Sequence, residues 1–417
     1  MHIRDIINKI RVGLRWRIQY KILLPRYPQI KKYKIAQIRK KKQINVSFII
    51  SEIGKWKTEG LFLKMSQNYR FNPQLIVVPS QFHDENTNSV IQYLEKKGYH
   101  YHLLPKDKTI TNTFKPDIIF YQEPYYGYYY QNHSYVFNLK ALFCYVNYAF
   151  HSIYKAEANM IPLINNAWQV YYENESALND LKKDPKNMTD NIVVTGLPIS
   201  DLYLNFHNCD KTPWKEDPKR RKKIIWAPHH TIPGNDNLFI VYSTFLDYYL
   251  FMFEIAKKYQ DKIVMAFKPH PALRRKLKKI WTEKEIEDYY NKWKSFENTQ
   301  LVEGDYIELF MNSDAMIHDC SSFQIEYHYT HKPALYLTND PVKHIEGMNS
   351  FAQKAFNLHY MGRNKKDIED FIINVIKGHD PLKEQRDLFF RENLLPPHQK
   401  TSSENIIDSI LGQGSYS

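Results

Sequence analysis

Short apolar runs alternate with amphipathic stretches along most of the chain, and this alternation predicts parallel β-strands joined by helices. The apolar runs of the first half predict strands at 44–50, 74–78, 117–121, 141–146, 169–172 and 191–196. Those of the second half predict strands at 223–228, 262–269, 299–304, 314–319 and 333–337. Helical spacing marks 86–98, about 237–259, 366–378, 383–394 and 401–412. We therefore expect an α/β protein with two doubly wound parallel sheets.

The break between the two series lies in "VTGLPISD" (194–201), where Gly196 and Pro198 end regular structure. With 417 residues the chain is also too long for one ordinary core. The sequence predicts, in chain order, a helical arm at 1–42, a first Rossmann-like domain at 43–195, a second at 196–377, and C-terminal helices at 378–417.

The net charge of +13 is concentrated in the arm, because fourteen of the 58 Lys and Arg residues but only one of the 45 acidic residues lie within 1–42. A nucleic-acid enzyme more often spreads basic residues through its binding domain, so we expect no nucleic-acid partner. The arm also has apolar and basic residues at helical spacing: Ile3, Ile6, Ile7, Ile10, Leu14 and Ile18, with Arg4, Arg11 and Arg15. This pattern predicts peripheral attachment to an anionic membrane surface. The alternative is that the apolar stripe packs on the protein's own body.

Several protein classes are disfavoured. Three scattered cysteines (Cys144, Cys209 and Cys320) do not form a disulfide framework and indicate a reducing compartment. The first residues lack the apolar core of a secretory signal, and no stretch approaches the roughly 18 apolar residues of a membrane span. The chain lacks G-x-G-x-x-G after a strand, G-K-[ST] and H-E-x-x-H, which argues against a dinucleotide oxidoreductase, a P-loop NTPase and a zincin protease.

Three predicted strands of the second domain end in polar loops: "WAPHHT" (226–231), "FKPHP" (267–271) and "IHDCSS" (317–322). Ligands bind outside the carboxyl ends of strands in an open parallel sheet, so these loops are expected to form one crevice.

In "FKPHP", Pro269 and Pro271 stiffen the backbone around His270. We expect His270 to donate a hydrogen bond to a phosphate oxygen or to protonate a leaving phosphate, and Lys268 to add charge. In "WAPHHT", His229 and His230 are expected to point in different directions, so that at most one faces the site; His230 is the donor-site candidate.

The segment "IHDCSSFQIEY" (317–327) is compatible with three kinds of chemistry. Cys320 with the nearby histidines 318, 328 and 331 suggests a metal site. A Ser or Cys beside a His suggests a nucleophile, although no G-x-S-x-G elbow is present. The third is a phosphate cradle, and the alternative without a ligand is a plain capped helix.

The phosphate cradle is favoured by the order of the polar residues. Ser321 is expected to cap a helix beginning near Ser322, with Gln324 completing a capping box, and a helix N-terminus binds anions. His318 and the two serines would add donors. Asp319 is expected to meet a ribose hydroxyl or to orient a histidine.

Four stretches together resemble the CDP-glycerol glycerophosphotransferase family of teichoic acid primases and polymerases. "GLPISD" (196–201) is similar to the family's G-x-P-x-x-D, and "KPHP" (268–271) is intact. "HDCSSFQIEY" (318–327) resembles D-Y-S-S-x-x-x-[DE]-[FY], with Cys320 in the Tyr place and Glu326 in the acidic place. The C-terminal stretch 380–408 is also similar. The likeness covers roughly 190–410 and extends over 44–190 only in outline.

The resemblance implies a GT-B fold and transfer of glycerol phosphate, or another polyol phosphate, from a CDP-linked donor to a lipid-linked or polysaccharide acceptor. This would make bacterial cell-wall or capsular polymer at the cytoplasmic face of the membrane. It implies that His270, His318, Ser321 and Ser322 surround the donor diphosphate and that Glu326 helps to hold the donor. No carboxylate cluster predicts a dedicated metal site, although the diphosphate can recruit Mg²⁺ itself.

One family feature is missing. The family's H-G-T-P motif, whose His looks like the general base, is absent, and His151 in "YVNYAFHSI" (145–153) is the candidate replacement. A core histidine is the alternative at this position. Two other functions stay open: a GT-B glycosyltransferase that uses a nucleotide sugar for surface polysaccharide synthesis, and a non-enzymatic scaffold that binds membranes or nucleic acid.

Overall fold

A computed structural model describes residues 13–81, 86–124, 128–152, 162–185, 187–206, 212–232, 242–304 and 306–413. The chain divides into two compact units. The first comprises Met1–Ala149, Ala156–Asp201 and Pro396–Ser417, and the second comprises Phe150–Lys155 and Leu202–Leu395.

The first unit is built on a seven-stranded parallel sheet with the order β3-β2-β1-β4-β5-β6-β7. Its strands are β1 Ile44–Ile50, β2 Phe71–Val77, β3 Tyr101–Leu103, β4 Ile118–Tyr121, β5 Leu142–Val146, β6 Gln169–Tyr172 and β7 Ile192–Val194. The central strands β4 and β5 are buried along their whole length, which explains their continuous apolar runs.

The second unit is built on a six-stranded parallel sheet with the order β10-β9-β8-β11-β12-β13. Its strands are β8 Lys222–Ala227, β9 Ile263–Phe267, β10 Thr299–Leu301, β11 Ala315–His318, β12 Ala334–Leu337 and β13 Tyr360–Gly362. The three polar loops follow β9, β8 and β11, which are neighbours in the middle of this sheet. The sheet therefore brings all three loops to one edge.

Helices cover the sheets, and their starts follow local capping chemistry. In the first unit they are Tyr27–Lys40, Glu59–Ser66, Asn86–Lys96, Ile110–Thr113, Pro162–Asn166, Glu175–Lys182, Ile199–Leu204 (which runs past the boundary) and Ser402–Leu411. In the second they are Phe245–Lys258, Leu273–Leu277, Glu283–Ser295, Ile307–Met311, Phe323–Glu326, Pro341–Ile345, Ser350–Phe356, Lys365–Lys377 and Lys383–Asn393. Thr282 and Thr401 each form a capping box with the Glu three residues on.

The expected α/β architecture with two parallel sheets is confirmed. All eleven strands predicted from the apolar runs are present, with ends displaced by a few residues. Two strands were not predicted, β3 and β13, which have three residues each and lie at sheet edges.

The C-terminal helix Ser402–Leu411 belongs to the first unit, where the "GLPISD" motif holds it. The Asp201 carboxylate accepts the backbone N–H groups of Ser402 (2.8 Å) and Ser403 (2.9 Å) at the helix start. Gly196 has φ +78°, and a Cβ there would lie 3.0 Å from Pro396. In the division into compact units, the first boundary follows Asp201, while the predicted domains meet at 195/196, and the chain rejoins the first unit at Pro396.

The described part of the arm is helical from residue 13 to Lys40 with local π and 3₁₀ turns. Its later half packs on the first unit, because Tyr27 is buried, stacks on Phe143 and donates to the Ala141 carbonyl. Its earlier half exposes two stripe residues, Leu14 at 58% and Ile18 at 41%.

The predicted apolar positions Ile3, Ile6, Ile7 and Ile10, with Arg4 and Arg11, lie outside the described residues. Among the described residues, no helix is both long and apolar enough to cross a membrane.

Candidate active site

Three histidine rings meet at the carboxyl edge of the second sheet. The His230 ring lies 4.1 Å from the His270 ring and 4.2 Å from the His229 ring, and the His229 and His270 rings are 5.2 Å apart, all between centroids. The expectation that His229 and His230 diverge is therefore wrong, because both rings join His270. His229 was missed as a site residue; the signal was its adjacency to His230 directly after a buried strand.

Backbone hydrogen bonds fix the loops that carry this histidine cluster (His229, His230 and His270). The His270 N–H donates to the Pro228 carbonyl (3.1 Å), which joins the loops after β8 and β9. The His229 N–H donates to Asp319 Oδ1 (2.5 Å), which joins the loops after β8 and β11. Hydrogen bonds therefore hold the three loops together within the second unit.

Asp319 is the tie between these loops. Its carboxylate is buried and accepts the N–H of His229, the N–H of Thr244 (2.6 Å) and the Thr244 hydroxyl (2.9 Å). Burial raises the pKa of Asp319 to about 6, while these hydrogen bonds oppose the shift. Of the two expected roles, the bond to the His229 N–H favours orientation of a histidine, because the three hydrogen bonds occupy lone pairs that a ribose hydroxyl would need.

The backbone also selects the tautomer of two of the rings. The Ala272 N–H donates to His270 Nδ1 (3.1 Å), and the Thr231 N–H and hydroxyl lie 3.4 Å and 3.0 Å from His229 Nδ1. A backbone amide can only donate, so Nδ1 accepts and the proton of each neutral ring sits on Nε2. Both rings therefore present an N–H donor at Nε2.

The His229 donor does not depend on protonation at neutral pH. Burial, followed by the neighbouring His230, lowers the pKa of His229 to about 3. The neutral ring still donates one hydrogen bond from Nε2, so it can bind an anion through this N–H group.

The spacing of the histidine cluster is also that of a metal site. Each of His229, His230 and His270 offers a ring nitrogen within 4.8 Å of the others. Imidazole suits zinc and similar ions, while Mg²⁺ prefers oxygen ligands. The Nδ1-accepting tautomers leave N–H groups where a metal needs lone pairs, so the geometry fits an anion better than a metal. Among the described residues, no group with metal-ligand spacing includes Cys320, His318, His328 or His331.

His318 does not join the cluster. It is fully buried, its Nδ1 lies 3.2 Å from the Cys320 carbonyl oxygen, and its ring packs edge-on against Tyr336 and His359. This placement departs from the expected diphosphate contact, because a ring enclosed by core side chains offers no surface to a donor. His318 forms part of a buried group with His328 and His359.

The helix after β11 begins at Phe323, near the expected start, but lacks the predicted capping box. It spans Phe323–Glu326 and continues as a 3₁₀ helix over Tyr327–Thr330, and the Ser322 side chain makes no capping hydrogen bond. Gln324 is buried with its Nε2 3.7 Å from Met348 Sδ, so it cannot return to the helix start. Ser321 and Ser322 are half-buried in this loop. Their hydroxyl groups keep them candidates for contact with a donor.

Cys320 is not a plausible nucleophile here, since burial raises the pKa of its thiol. Its Sγ lies 3.0 Å from Ser322 Oγ.

Lys268 and Glu326 are both buried and engaged by protein groups. Lys268 Nζ donates to the Gly304 carbonyl (3.1 Å) and lies 5.7 Å from the centre of the Tyr306 ring. Glu326 Oε1 accepts the hydroxyls of Tyr306 (2.7 Å) and Tyr203 (3.1 Å). These contacts link the loops after β9 and β10 to the segment after β11, so both residues help to shape this edge of the sheet.

His151 lies in the short segment that clusters with the second unit. Its side chain is buried, and its carbonyl accepts the Asn349 side-chain N–H (2.7 Å). A general base must reach the acceptor hydroxyl, and the enclosed ring of His151 offers no surface to an acceptor.

We predict that Asp319→Asn lowers kcat by roughly tenfold to a hundredfold, because an amide cannot accept from all three donors and the His229 loop shifts. The matched control is Asp314→Asn at the other end of β11, where Asp314 accepts the Lys223 N–H (2.8 Å). Each change should cost about 1–3 kcal/mol of unfolding free energy. Equal loss of kcat in both variants would show that Asp319 acts only through stability.

Known proteins resemble this chain at the level of family and of fold. The family model "CDP-Glycerol:Poly(glycerophosphate) glycerophosphotransferase" matches residues 61–412. A comparison with curated protein sequences gives no significant match.

Among solved structures, a variant of the wall teichoic acid polymerase TagF covers 97% of this chain and 97% of its own, with TM-score 0.59 and 15% identity. A putative UDP-N-acetylglucosamine 2-epimerase from Listeria monocytogenes covers 90% of this chain and 98% of its own, with TM-score 0.57 and 16% identity. The Neisseria meningitidis UDP-GlcNAc 2-epimerase covers 89% of this chain and 100% of its own, with TM-score 0.56 and 15% identity.

These likenesses show a shared GT-B-type fold of two Rossmann-like domains. The family match spans most of the chain and includes the histidine cluster. The chain therefore belongs to the CDP-glycerol:poly(glycerophosphate) glycerophosphotransferase family and is a transferase of that type.

Proposed function

We propose that this enzyme transfers glycerol phosphate, or a related polyol phosphate, from a CDP-linked donor to a hydroxyl of a lipid-linked or polysaccharide acceptor. The family description supports the donor class. The observation that carries the proposal is the pair of Nε2–H donors of His229 and His270, which lie at the sheet edge where nucleotide ligands bind in open α/β folds.

In the proposed reaction, the acceptor hydroxyl oxygen attacks the β-phosphorus of the donor. A new P–O bond forms while the bond from the β-phosphorus to the bridging oxygen breaks, CMP leaves, and the hydroxyl proton passes to solvent or a base. The Nε2–H groups of His229 and His270 would stabilise the negative charge on the diphosphate, as preorganised donors do in phosphoryl transfer. Mg²⁺ would arrive with the donor diphosphate, since the cluster offers imidazoles and not oxygen ligands.

Ser321, Ser322 and His230 complete the proposed donor site, as side chains on the loops next to His270. Lys268 and Glu326 would act indirectly by holding the loops. His151 has no role in this proposal because its ring is enclosed. The general base is thus left to a group other than His151.

We also propose that the enzyme works peripherally at the cytoplasmic face of the membrane and contributes to teichoic acid or capsular polymer synthesis. The exposed Leu14 and Ile18 beside Arg15 and Arg17 support attachment through the arm. The likeness to the wall teichoic acid polymerase TagF supports the polymer class.

The test is CMP release by the purified protein with membrane extract as acceptor, using CDP-glycerol beside uridine, guanosine and cytidine sugars. We expect CMP release from CDP-glycerol that depends on the acceptor and matches glycerol phosphate incorporation. Turnover of a nucleotide sugar instead would make the protein a glycosyltransferase. CMP release without incorporation would contradict the proposed transfer.

A further inference from the structure

The first unit contains a cavity of about 380 Å³ next to the carboxyl end of β4. Its walls are largely aromatic and include Trp16, Tyr20, Tyr121, Tyr129, Tyr130 and Tyr135. Sites for small molecules typically have volumes of roughly 300–1,000 Å³ and combine apolar walls with a few placed polar groups. The cavity therefore has the size and the lining of a binding site for one small ligand unit.

Polar atoms in this wall have their hydrogen-bonding capacity unused. Among the described residues, Glu123 Oε2 and Gln131 Nε2 are buried without a well-aligned hydrogen bond, and both residues line the cavity. Buried polar groups are normally satisfied, so a ligand with hydroxyl groups is the natural complement. An apolar chain in the same place would leave them unsatisfied at a cost in free energy.

Glu123 is the central polar group. Its side chain is 1% exposed, and its Oε1 lies 3.0 Å from Lys55 Nζ. Burial raises the pKa of Glu123 to about 8, although the Lys55 charge opposes the shift. In either protonation state it offers an acceptor oxygen to a ligand hydroxyl.

The charge of the lining argues against a nucleotide or phosphate. Among the described residues that line the cavity, none is Lys or Arg, and the nearby Lys55 is already paired with Glu123 and Glu52 (3.0 Å each). A phosphate would meet no free cation in this described part of the walls, and a single carboxylate does not make a metal site. A neutral, hydroxyl-bearing ring fits both the aromatic walls and the unused polar atoms.

The walls are held in place by packing and hydrogen bonds. The Tyr121 hydroxyl donates to the His133 carbonyl (2.9 Å), and Gln81 Nε2 donates to the Tyr129 carbonyl (2.7 Å). Trp16 stacks on Tyr20 (5.2 Å) and packs edge-on against Phe137 (5.0 Å). The cavity is thus a preorganised site, in which little ordering cost remains for a ligand.

One wall comes from the arm. Trp16 and Tyr20 line the cavity, while Leu14, Ile18 and Ile22, spaced four residues apart on the same helical segment, are exposed. A segment whose apolar residues enter a membrane surface would hold this cavity near the headgroups. A sugar attached to a membrane lipid would then lie within reach.

We propose that this cavity binds a neutral sugar or polyol unit of the acceptor, with Glu123 accepting hydrogen bonds from its hydroxyls and the aromatic rings contacting its C–H faces. The identification of the bound unit as part of the acceptor rests on the proposed transferase function. The preference for a neutral, hydroxyl-bearing ligand follows from the cavity alone.

The test is titration of the intact protein with methyl glycosides of neutral hexoses and of N-acetylhexosamines, and with glycerol, followed by tryptophan fluorescence and ligand-observed NMR. Glucose 6-phosphate is the charged comparison. We expect binding of at least one neutral sugar, weakened about tenfold by Glu123→Ala, which removes the acceptor oxygens in either protonation state. The exposed Glu175→Ala in the same unit is the matched control.

A second variant locates the ligand. Trp16→Phe keeps an aromatic wall but removes the adjacent fluorophore, so binding should persist in the NMR signal while the fluorescence change is lost. No binding of any neutral sugar, or equal binding by Glu123→Ala, would overturn the cavity proposal.

The two proposals fail separately. Turnover of CDP-glycerol with an unchanged KM for acceptor in Glu123→Ala would refute the cavity and leave the transferase standing. Sugar binding that depends on Glu123, without turnover of CDP-glycerol, would support the cavity and refute the proposed donor.

Discussion

His270→Ala is expected to reduce CMP release from CDP-glycerol by roughly a hundredfold to a thousandfold, the loss typical of removing one preorganised donor to a developing negative charge. His270 lies between two prolines, with its Nδ1 bonded to the Ala272 N–H and its ring 4.1 Å from that of His230. Its Nε2–H is therefore aimed by the backbone before any donor arrives. The measurement is kcat and KM with saturating acceptor.

Two further variants sharpen this prediction. His379 is an exposed histidine in the same unit, so His379→Ala should keep full activity. Gln carries an N–H₂ group near the place of Nε2, so His270→Gln should recover part of the activity if His270 acts as a donor. If His270 instead passes a proton to the leaving group, Gln and Ala should be equally poor. Wild-type activity in His270→Ala would contradict the assignment of the site.

The second unit is expected to unfold on mild acidification, between about pH 6 and pH 4.5. Burial lowers the pKa of His229 to about 3 and that of His359 to about 4, and it lowers the pKa values of His318 and His328 well below their ordinary range. Unfolded histidines titrate near 6.5. Stability from these groups is fully present above pH 6.5 and is lost as pH falls toward their folded pKa values.

The size of the effect follows from linkage. Each such histidine costs about 1.4 kcal/mol of unfolding free energy per pH unit below 6.5, so four together cost roughly 5 kcal/mol per pH unit. A typical domain has only about 5–15 kcal/mol in total. Asp319 opposes this trend, because burial raises its pKa to about 6, but it is one group against four.

Thermal unfolding followed by circular dichroism from pH 8 to pH 4.5 measures this dependence. Replacing one buried histidine, as in His359→Leu, should remove the contribution of that histidine to the pH dependence of stability. The replacement also removes the hydrogen bond between His359 and the Ala355 carbonyl. His379→Ala should leave the curve unchanged. Constant stability between pH 7.5 and pH 5 would mean that these rings are not neutral and buried as the structure has them.

The amino-acid sequence by itself determined most of the architecture. Buried parallel strands such as Ile118–Tyr121 and Leu142–Val146 are continuous apolar runs, because both their faces are covered, and such runs are visible without any partner. The edge strands Tyr101–Leu103 and Tyr360–Gly362 escaped prediction because their residues, YHL and YMG, form no apolar run, unlike the equally short edge strand Ile192–Val194. Their identity as strands depends on the neighbour to which they bond.

The sequence also determined that three polar loops share one edge, because parallel strands place all their carboxyl ends on the same side. Only the tertiary structure decided which side chains meet there. His318 and His229 both follow apolar strand residues, yet one packs on Tyr336 and His359 while the other joins His270. The direction of each side chain depends on partners distant in the sequence. The same holds for Asp319, whose role became visible only through its bonds to His229 and Thr244.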